Sequence, residues 1–181
     1  MALDADTGEE QWVYDAKVPM ESQRQHQTCR GVSYLPPSDG DANAIGVKAV
    51  SEPAEDLASV QCDAQLFMPT SDARLLALDP ETGARCSGFA EDGSLDLMHN
   101  MPFKQDGYYY STSPPVVANG LVVVAGAVND NYDIDSPSGV IRAYDAKTGK
   151  LKWNWDLPIR KVPTPLQMAK PIAKVLPTAG R

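Results

Sequence analysis

Residues 143–153 read AYDAKTGKLKW, and the same pattern stands twice more in the chain. Residues 2–12 read ALDADTGEEQW and residues 77–86 read ALDPETGARC. The shared element is Ala, an apolar or aromatic residue, Asp, two residues and Thr-Gly. Trp follows four positions after Gly in the first and third copies, as Trp12 and Trp153, whereas the second copy has Ser87 there, beside Cys86. The apolar run before each Asp reads as a strand. The Asp side chain accepts backbone N–H bonds in the turn, and Gly supplies the positive φ that closes it. The residues after Gly begin the next strand, and the Trp packs one unit onto its neighbour. Each repeat is therefore a β-hairpin with an aromatic dock, and such units stack radially or in line.

Further strands lie between the repeats. Residues 65–69 lead through a Ser-Asp turn to residues 74–78. Residues 114–118, the pair Asn119-Gly120 and residues 121–128 form a strand, a turn and a strand, because Asn-Gly favours a two-residue hairpin. Residues 140–144 and 151–155 complete the last hairpin. Helix-period amphipathicity is absent over any useful length, and only residues 55–60 suggest a short helix. They lie in a Pro-, Gly- and Asp-rich surface loop that starts near Pro36.

Residues 121–131, LVVVAGAVNDN, bear most directly on function. The run begins with β-branched residues, as a strand buried on both faces does. It thins to Ala125, Gly126 and Ala127, where another group can approach the backbone closely. It ends on Asn129, Asp130 and Asn131. An acid and an amide at the mouth of a buried strand suit a hard cation or a polar ligand; a core strand with an Asn/Asp turn is the plainer reading. An EF-hand starting at Asn131 is excluded, because its sixth position is Ser136 and its twelfth Arg142.

Composition narrows the function classes. The 181 residues suffice for one domain with a sizeable core. A net charge of −8 argues against non-specific binding to nucleic acid or anionic membranes. No run approaches the ~18 apolar residues of a membrane span, and ALDADTGEE after Met1 has no secretory apolar core. The 13 Gly and 15 Pro suit a turn-rich β protein. Cys29, Cys62 and Cys86 form no CxxC pair, so a zinc site is not expected. One disulfide with one free thiol, or three buried thiols, both remain open.

The three repeats resemble the tryptophan-docking repeats of the pyrroloquinoline quinone (PQQ) dehydrogenases, which are eight-bladed β-propellers. Five ordered strings sharpen the resemblance over about residues 2–157. They are residues 26–32 (HQTCRGV), Asn100-Met101-Pro102, Thr112-Ser113-Pro114-Pro115, Ala125-Gly126 with Asp130-Asn131, and residues 138–142 (SGVIR). Together they look most like the membrane-bound quinoprotein glucose dehydrogenases. The related quinate/shikimate dehydrogenases share HQTCRGV. The expectation is an all-β chain: a partial propeller of about three blades over residues 1–157, then a tail at 158–181. That tail no longer resembles the family. A divergent loop, a cloning scar and a shifted reading frame each explain it.

The resemblance implies the site. Asp130 and Asn131 match the residues assigned to the divalent cation, Ca²⁺ or Mg²⁺, that polarises the quinone. His26 matches a position at the substrate and PQQ site. Arg30 is placed to pair with a PQQ carboxylate or to make a structural ion pair. Thr112 and Ser113 are placed to donate to the cofactor or to shape the turn before Pro114-Pro115. Cys29 is expected to be a buried thiol. The adjacent Cys pair of the related alcohol dehydrogenases is absent. The catalytic base is expected downstream of this chain, so no catalytic residue is assigned within it. For the whole enzyme the resemblance implies oxidation of an aldose such as D-glucose at C1–OH, with electrons passing to ubiquinone. It also implies a membrane anchor and a location on the periplasmic face of the bacterial inner membrane. A quinate/shikimate enzyme and a non-catalytic propeller scaffold are the alternatives. An isolated partial propeller would leave apolar faces uncovered and be marginally stable.

Overall fold

A computed structural model describes residues 1–19, 31–37, 59–101, 107–129 and 136–156. Among these residues every regular element is a strand. In chain order they are β1 (Ala2–Leu3), β2 (Glu10–Trp12), β3 (Ser33–Leu35), β4 (Gln65–Pro69), β5 (Arg74–Leu78), β6 (Ser94–Asp96), β7 (Tyr109–Tyr110), β8 (Val116–Ala118), β9 (Leu121–Ala125), β10 (Ala127–Val128), β11 (Ile141–Asp145) and β12 (Leu151–Trp155). Two four-stranded antiparallel sheets dominate, β3-β4-β5-β6 and β8-β9-β11-β12. Each is a meander in sequence order, the form of a propeller blade. The hairpin β1–β2 supplies part of a third unit, and β7 pairs with β10 in a separate short ribbon. The helix expected at residues 55–60 falls mostly outside the described residues. Its last residue, Val60, instead forms a bridge with Cys86.

The three turns are built alike. Oδ1 of Asp4, Asp79 and Asp145 each accepts two backbone N–H bonds and the Thr hydroxyl of its own repeat, all at 2.8–3.1 Å. The Gly N–H then donates to the Asp carbonyl at 2.8–2.9 Å. Gly8, Gly83 and Gly149 have φ of 75°, 73° and 68°, the left-handed region. Burial pushes the Asp145 carboxyl up. The Lys152 ammonium at 3.0 Å and the Thr148 N–H and hydroxyl outweigh it and hold the carboxyl at about 2.

The Trp dock is realised at the first junction. Trp12 is buried, and its indole N–H donates to Pro80 O at 3.1 Å on the turn of the second repeat. Its ring lies flat on Gly83, where a Cβ would come within 2.6 Å of Cε3. Arg74 ties the following segment down by donating to Ala16 O at 2.7 Å while pairing with Asp72.

At the second junction, where Ser87 replaces Trp, backbone makes the dock. Ala90 N–H donates to Thr148 O at 3.1 Å, and Ala90 lies so close to Gly149 that a Cβ there would meet it at 2.8 Å. The second repeat also lacks a full strand after its Gly. Only an Arg85–Leu78 bridge forms, and β6 takes the edge beside β5. The cause is the bond between Cys62 and Cys86, which pulls residues 85–87 toward Val60. That pair settles the cysteine alternatives in favour of a disulfide; Cys29 lies outside the described residues.

One core joins the two sheets. Phe67, Leu75, Ala77, Phe89 and Leu97 pack with Val122, Val124, Val140 and Tyr144, all essentially buried. Phe89, close behind the missing Trp, stacks tilted on Phe67 at 5.3 Å. Residues 121–128 differ from expectation in two ways. Val122 and Val124 are fully buried, but Leu121 and Val123 on the opposite face are only half-buried, so β9 is not covered on both sides. The run also breaks at Gly126, after which β10 leaves the sheet to pair with β7. On the half-covered face Val116 and Trp155 are exposed, and Leu3 and Val32 are exposed near the other end of the chain. These uncovered apolar residues are what a partial propeller presents.

In the full-length protein, Gly120→Ala is expected to cost about 1–2 kcal/mol, the left-handed backbone alone, because nothing lies within 4 Å of its Cβ position. Gly83→Ala is expected to cost roughly 1–3 kcal/mol more, because it also overpacks Trp12. Denaturant unfolding of the two variants checks this; equal losses would show that the Trp12 dock carries no packing energy.

Candidate functional site

The strings that carry the resemblance interlock in space. Gly31, in HQTCRGV, lies against Pro114, in Thr-Ser-Pro-Pro, and a Cβ at Gly31 would sit 2.8 Å from the proline ring. Two residues on, the Ser33 hydroxyl donates to Pro115 O. Strands β3 and β8, the first strands of the two sheets, thus lie side by side. The segments that enter them are those bearing His26 and Arg30 on one side and Thr112 and Ser113 on the other.

A second junction joins two more strings. Arg142 is buried and donates through Nη1 to Leu97 O and His99 O, both at 2.8 Å, fixing the loop just before Asn100-Met101. Asn100 itself takes φ of 58°, a conformation Asn tolerates better than most residues.

The third junction decides how the chain approaches Asp130. Tyr109 is buried, and its hydroxyl donates to Val140 O at 3.2 Å. Burial, chiefly, pushes its phenol pKa well above the usual range. Its ring occupies the space where Gly126 lacks a side chain, so that a Cβ at residue 126 would lie 2.0 Å from Cζ. The small residues at 125–127 were read as room for a close approach. The group that approaches is this tyrosine.

Because the ring wedges in at Gly126, the chain changes partner. Ala127 pairs with Tyr110, Val128 with Tyr109, and Asn129 N–H donates to Tyr108 O at 2.9 Å. The other edge of this ribbon is pinned by Ser111 Oγ, which donates to Ala125 O at 3.2 Å.

Of the sequence-predicted site residues, Thr112 is half-buried and Ser113 exposed, just beyond the Ala125 end of the ribbon. Ser113 O accepts from the Ser111 hydroxyl at 3.1 Å, as a turn-shaping residue does. His26, Arg30, Asp130 and Asn131 lie outside the described residues. Asn129 stands at the far end of the ribbon, four residues of extended chain or about 13 Å from Ala125. Thr112 and Ser113 would therefore touch a different part of any shared ligand than the 129–131 end does. Asn129 is fully buried, and neither its Oδ1 nor its Nδ2 has a hydrogen-bond partner. Asp, Asn, Ser and Thr oxygens together fit a hard cation and a polar, anionic cofactor. Sequence reading had noted Asn129 only as part of a polar end; the signal was an amide in an otherwise apolar strand. Tyr109 carried no signal at all.

Comparison with known proteins places the chain. The profile of the PQQ family, described as the glucose/ethanol/alcohol dehydrogenase β-propeller domain, matches residues 1–174. The chain belongs to this family, and its fold is part of a β-propeller. It is 42% identical over 156 residues to the quinoprotein glucose dehydrogenase A of Acinetobacter calcoaceticus, covering 86% of this chain and 19% of that protein. It is 39% identical over 155 residues to the quinoprotein glucose dehydrogenase of Escherichia coli, covering 86% of this chain and 18% of that protein. It is 32% identical over 173 residues to the quinate/shikimate dehydrogenase of Acinetobacter baylyi, covering 94% of this chain and 20% of that protein. The chain thus spans about a fifth of the length of these relatives.

Gly126→Ala is expected to destabilise the full-length protein by more than about 2 kcal/mol, because the added methyl must displace a buried ring. Tyr109→Phe keeps the wedge and loses one hydrogen bond, for about 1 kcal/mol. Thermal melts that rank Tyr109→Phe as the more damaging would contradict the wedge.

Proposed function

We propose that the full-length protein containing this chain is a PQQ-dependent sugar dehydrogenase that oxidises D-glucose at C1 to gluconolactone and passes the electrons to ubiquinone. The observation that carries this reading is the contact of Gly31 with Pro114, which joins the HQTCRGV and Thr-Ser-Pro-Pro segments at adjoining first strands. Family membership and the names of the relatives at 42% and 39% identity support it. Asp130 and Asn131 hold the divalent cation, Ca²⁺ or Mg²⁺, through carboxylate and amide oxygens. Arg30 pairs with a carboxylate of PQQ, a role suited to its planar fork. His26 hydrogen-bonds a sugar hydroxyl or the cofactor, and Thr112 and Ser113 donate to the cofactor's edge. When bound, the cation-polarised quinone supplies the hydride acceptor. The base that takes the hydroxyl proton lies outside this chain.

The Cys62–Cys86 disulfide supports a site on the periplasmic face of the inner membrane, since such bonds persist in oxidising compartments. No helix among the described residues is long and apolar enough to cross a membrane, so the anchor would lie elsewhere in the full-length protein. A quinate/shikimate substrate is the second reading, favoured by the relative that matches 94% of this chain.

Dye-linked turnover separates the two. The full-length protein with PQQ and Ca²⁺ is expected to turn over D-glucose with kcat/KM at least tenfold above quinate. Asp130→Ala is expected to lower that activity by two orders of magnitude or more. The isolated chain is expected to show no turnover. Preference for quinate, or undiminished activity of Asp130→Ala, would overturn the assignment.

A further inference from the structure

We propose that Asn129 is a further ligand of the bound cation and cofactor, its Oδ1 facing the cation and its Nδ2 donating to an oxygen of the cofactor. The proposal rests on the metal role given above to Asp130 and Asn131. Asn129 is 0% exposed, and both polar atoms of its carboxamide lack a partner. Its backbone, by contrast, is satisfied on both sides: the N–H donates to Tyr108 O at 2.9 Å, and the carbonyl accepts from Ser136 Oγ at 3.4 Å. The residue is therefore held in place by its main chain, with its amide shut away from solvent.

Burying an unpaired amide carries the full desolvation penalty of each polar atom. A leucine of similar size would fill the same position beside Val128 without that penalty. The amide needs a partner that the chain does not supply. The two empty groups specify its chemistry. An acceptor oxygen alone would leave Oδ1 unpaired, and a cation alone would leave Nδ2 unpaired. A hard cation next to an oxygen-bearing anionic ligand satisfies both. Asn129 is covalently joined to Asp130, so a cation held at Asp130 is within a residue's reach.

The test uses the full-length apoprotein, titrated calorimetrically with Ca²⁺ in the presence and absence of PQQ, with melting of the apoprotein as the second readout. Asn129→Leu is expected to weaken Ca²⁺ binding in the presence of PQQ by tenfold or more, while the apoprotein melts no lower than wild type. Asn129→Asp keeps the oxygen and loses the donor. It is expected to hold Ca²⁺ within a few-fold of wild type and to bind PQQ more weakly. It serves as the deciding variant should the leucine form fail to fold. If Asp130→Asn weakens Ca²⁺ binding but Asn129→Leu stays within threefold of wild type, the inference alone fails and a buried water is the amide's partner. If Asp130→Asn also binds Ca²⁺ as wild type does, the metal reading fails and the inference falls with it.

Discussion

Trp12 can lie flat on the turn of the second repeat only because Gly83 has no side chain, and that contact sets the stacking of one unit on the next. The Asp-Thr-Gly turn serves two purposes at once. Inside the repeat, the Asp carboxylate gathers the N–H groups of the turn and closes the hairpin. Outside it, the bare glycine becomes the floor on which a neighbour rests. The second junction shows that the floor matters more than the aromatic. Ser87 stands where Trp is expected, yet Ala90 settles on Gly149 and a backbone hydrogen bond replaces the indole bond. The disulfide between Cys62 and Cys86 holds that segment in position, and Phe89 supplies the buried aromatic surface from a nearby position.

Stacking of the sheets brings their first strands together, and with them the segments that bear the candidate ligands. The wedge of Tyr109 into Gly126 then does for the site what the dock does for the fold. It ends β9, moves the chain onto a new ribbon and delivers Asn129 buried and unpartnered at the threshold of Asp130. Arg142 and the Tyr109 hydroxyl bind the surrounding loops through carbonyls of Leu97, His99 and Val140. A propeller of this kind places chemistry on the loops that enter its strands, while the sheets only fix their spacing.

Much of this was legible in the residues. The Asp-x-x-Thr-Gly spacing dictated the turns, and Asn119-Gly120 dictated its hairpin, with both residues at positive φ. Strands at 65–69 and 74–78 followed from apolar patterning between turn residues. Long-range partners were not legible. Nothing local marks Tyr109 as the ring that fills Gly126, because the contact depends on how two distant segments pair. The choice of Cys62 and Cys86 among three cysteines depends on where the chain turns after Gly83. The break of residues 121–128 was hidden for the same reason: a glycine in an apolar run marks a close approach but not what approaches. The site's identity came from ordered strings and not from physics, since Asp130-Asn131 alone reads equally as a turn.

The central claim is that the two adjoining sheets present one cation-dependent cofactor site through their entering loops. Its most direct test is an anomalous-difference map from crystals of the full-length protein loaded with PQQ and Ca²⁺. The account predicts a cation peak in direct contact with Asp130 and Asn131, and the cofactor against the segment entering β8. A cation peak away from Asp130, with the cofactor remote from both first strands, would contradict it.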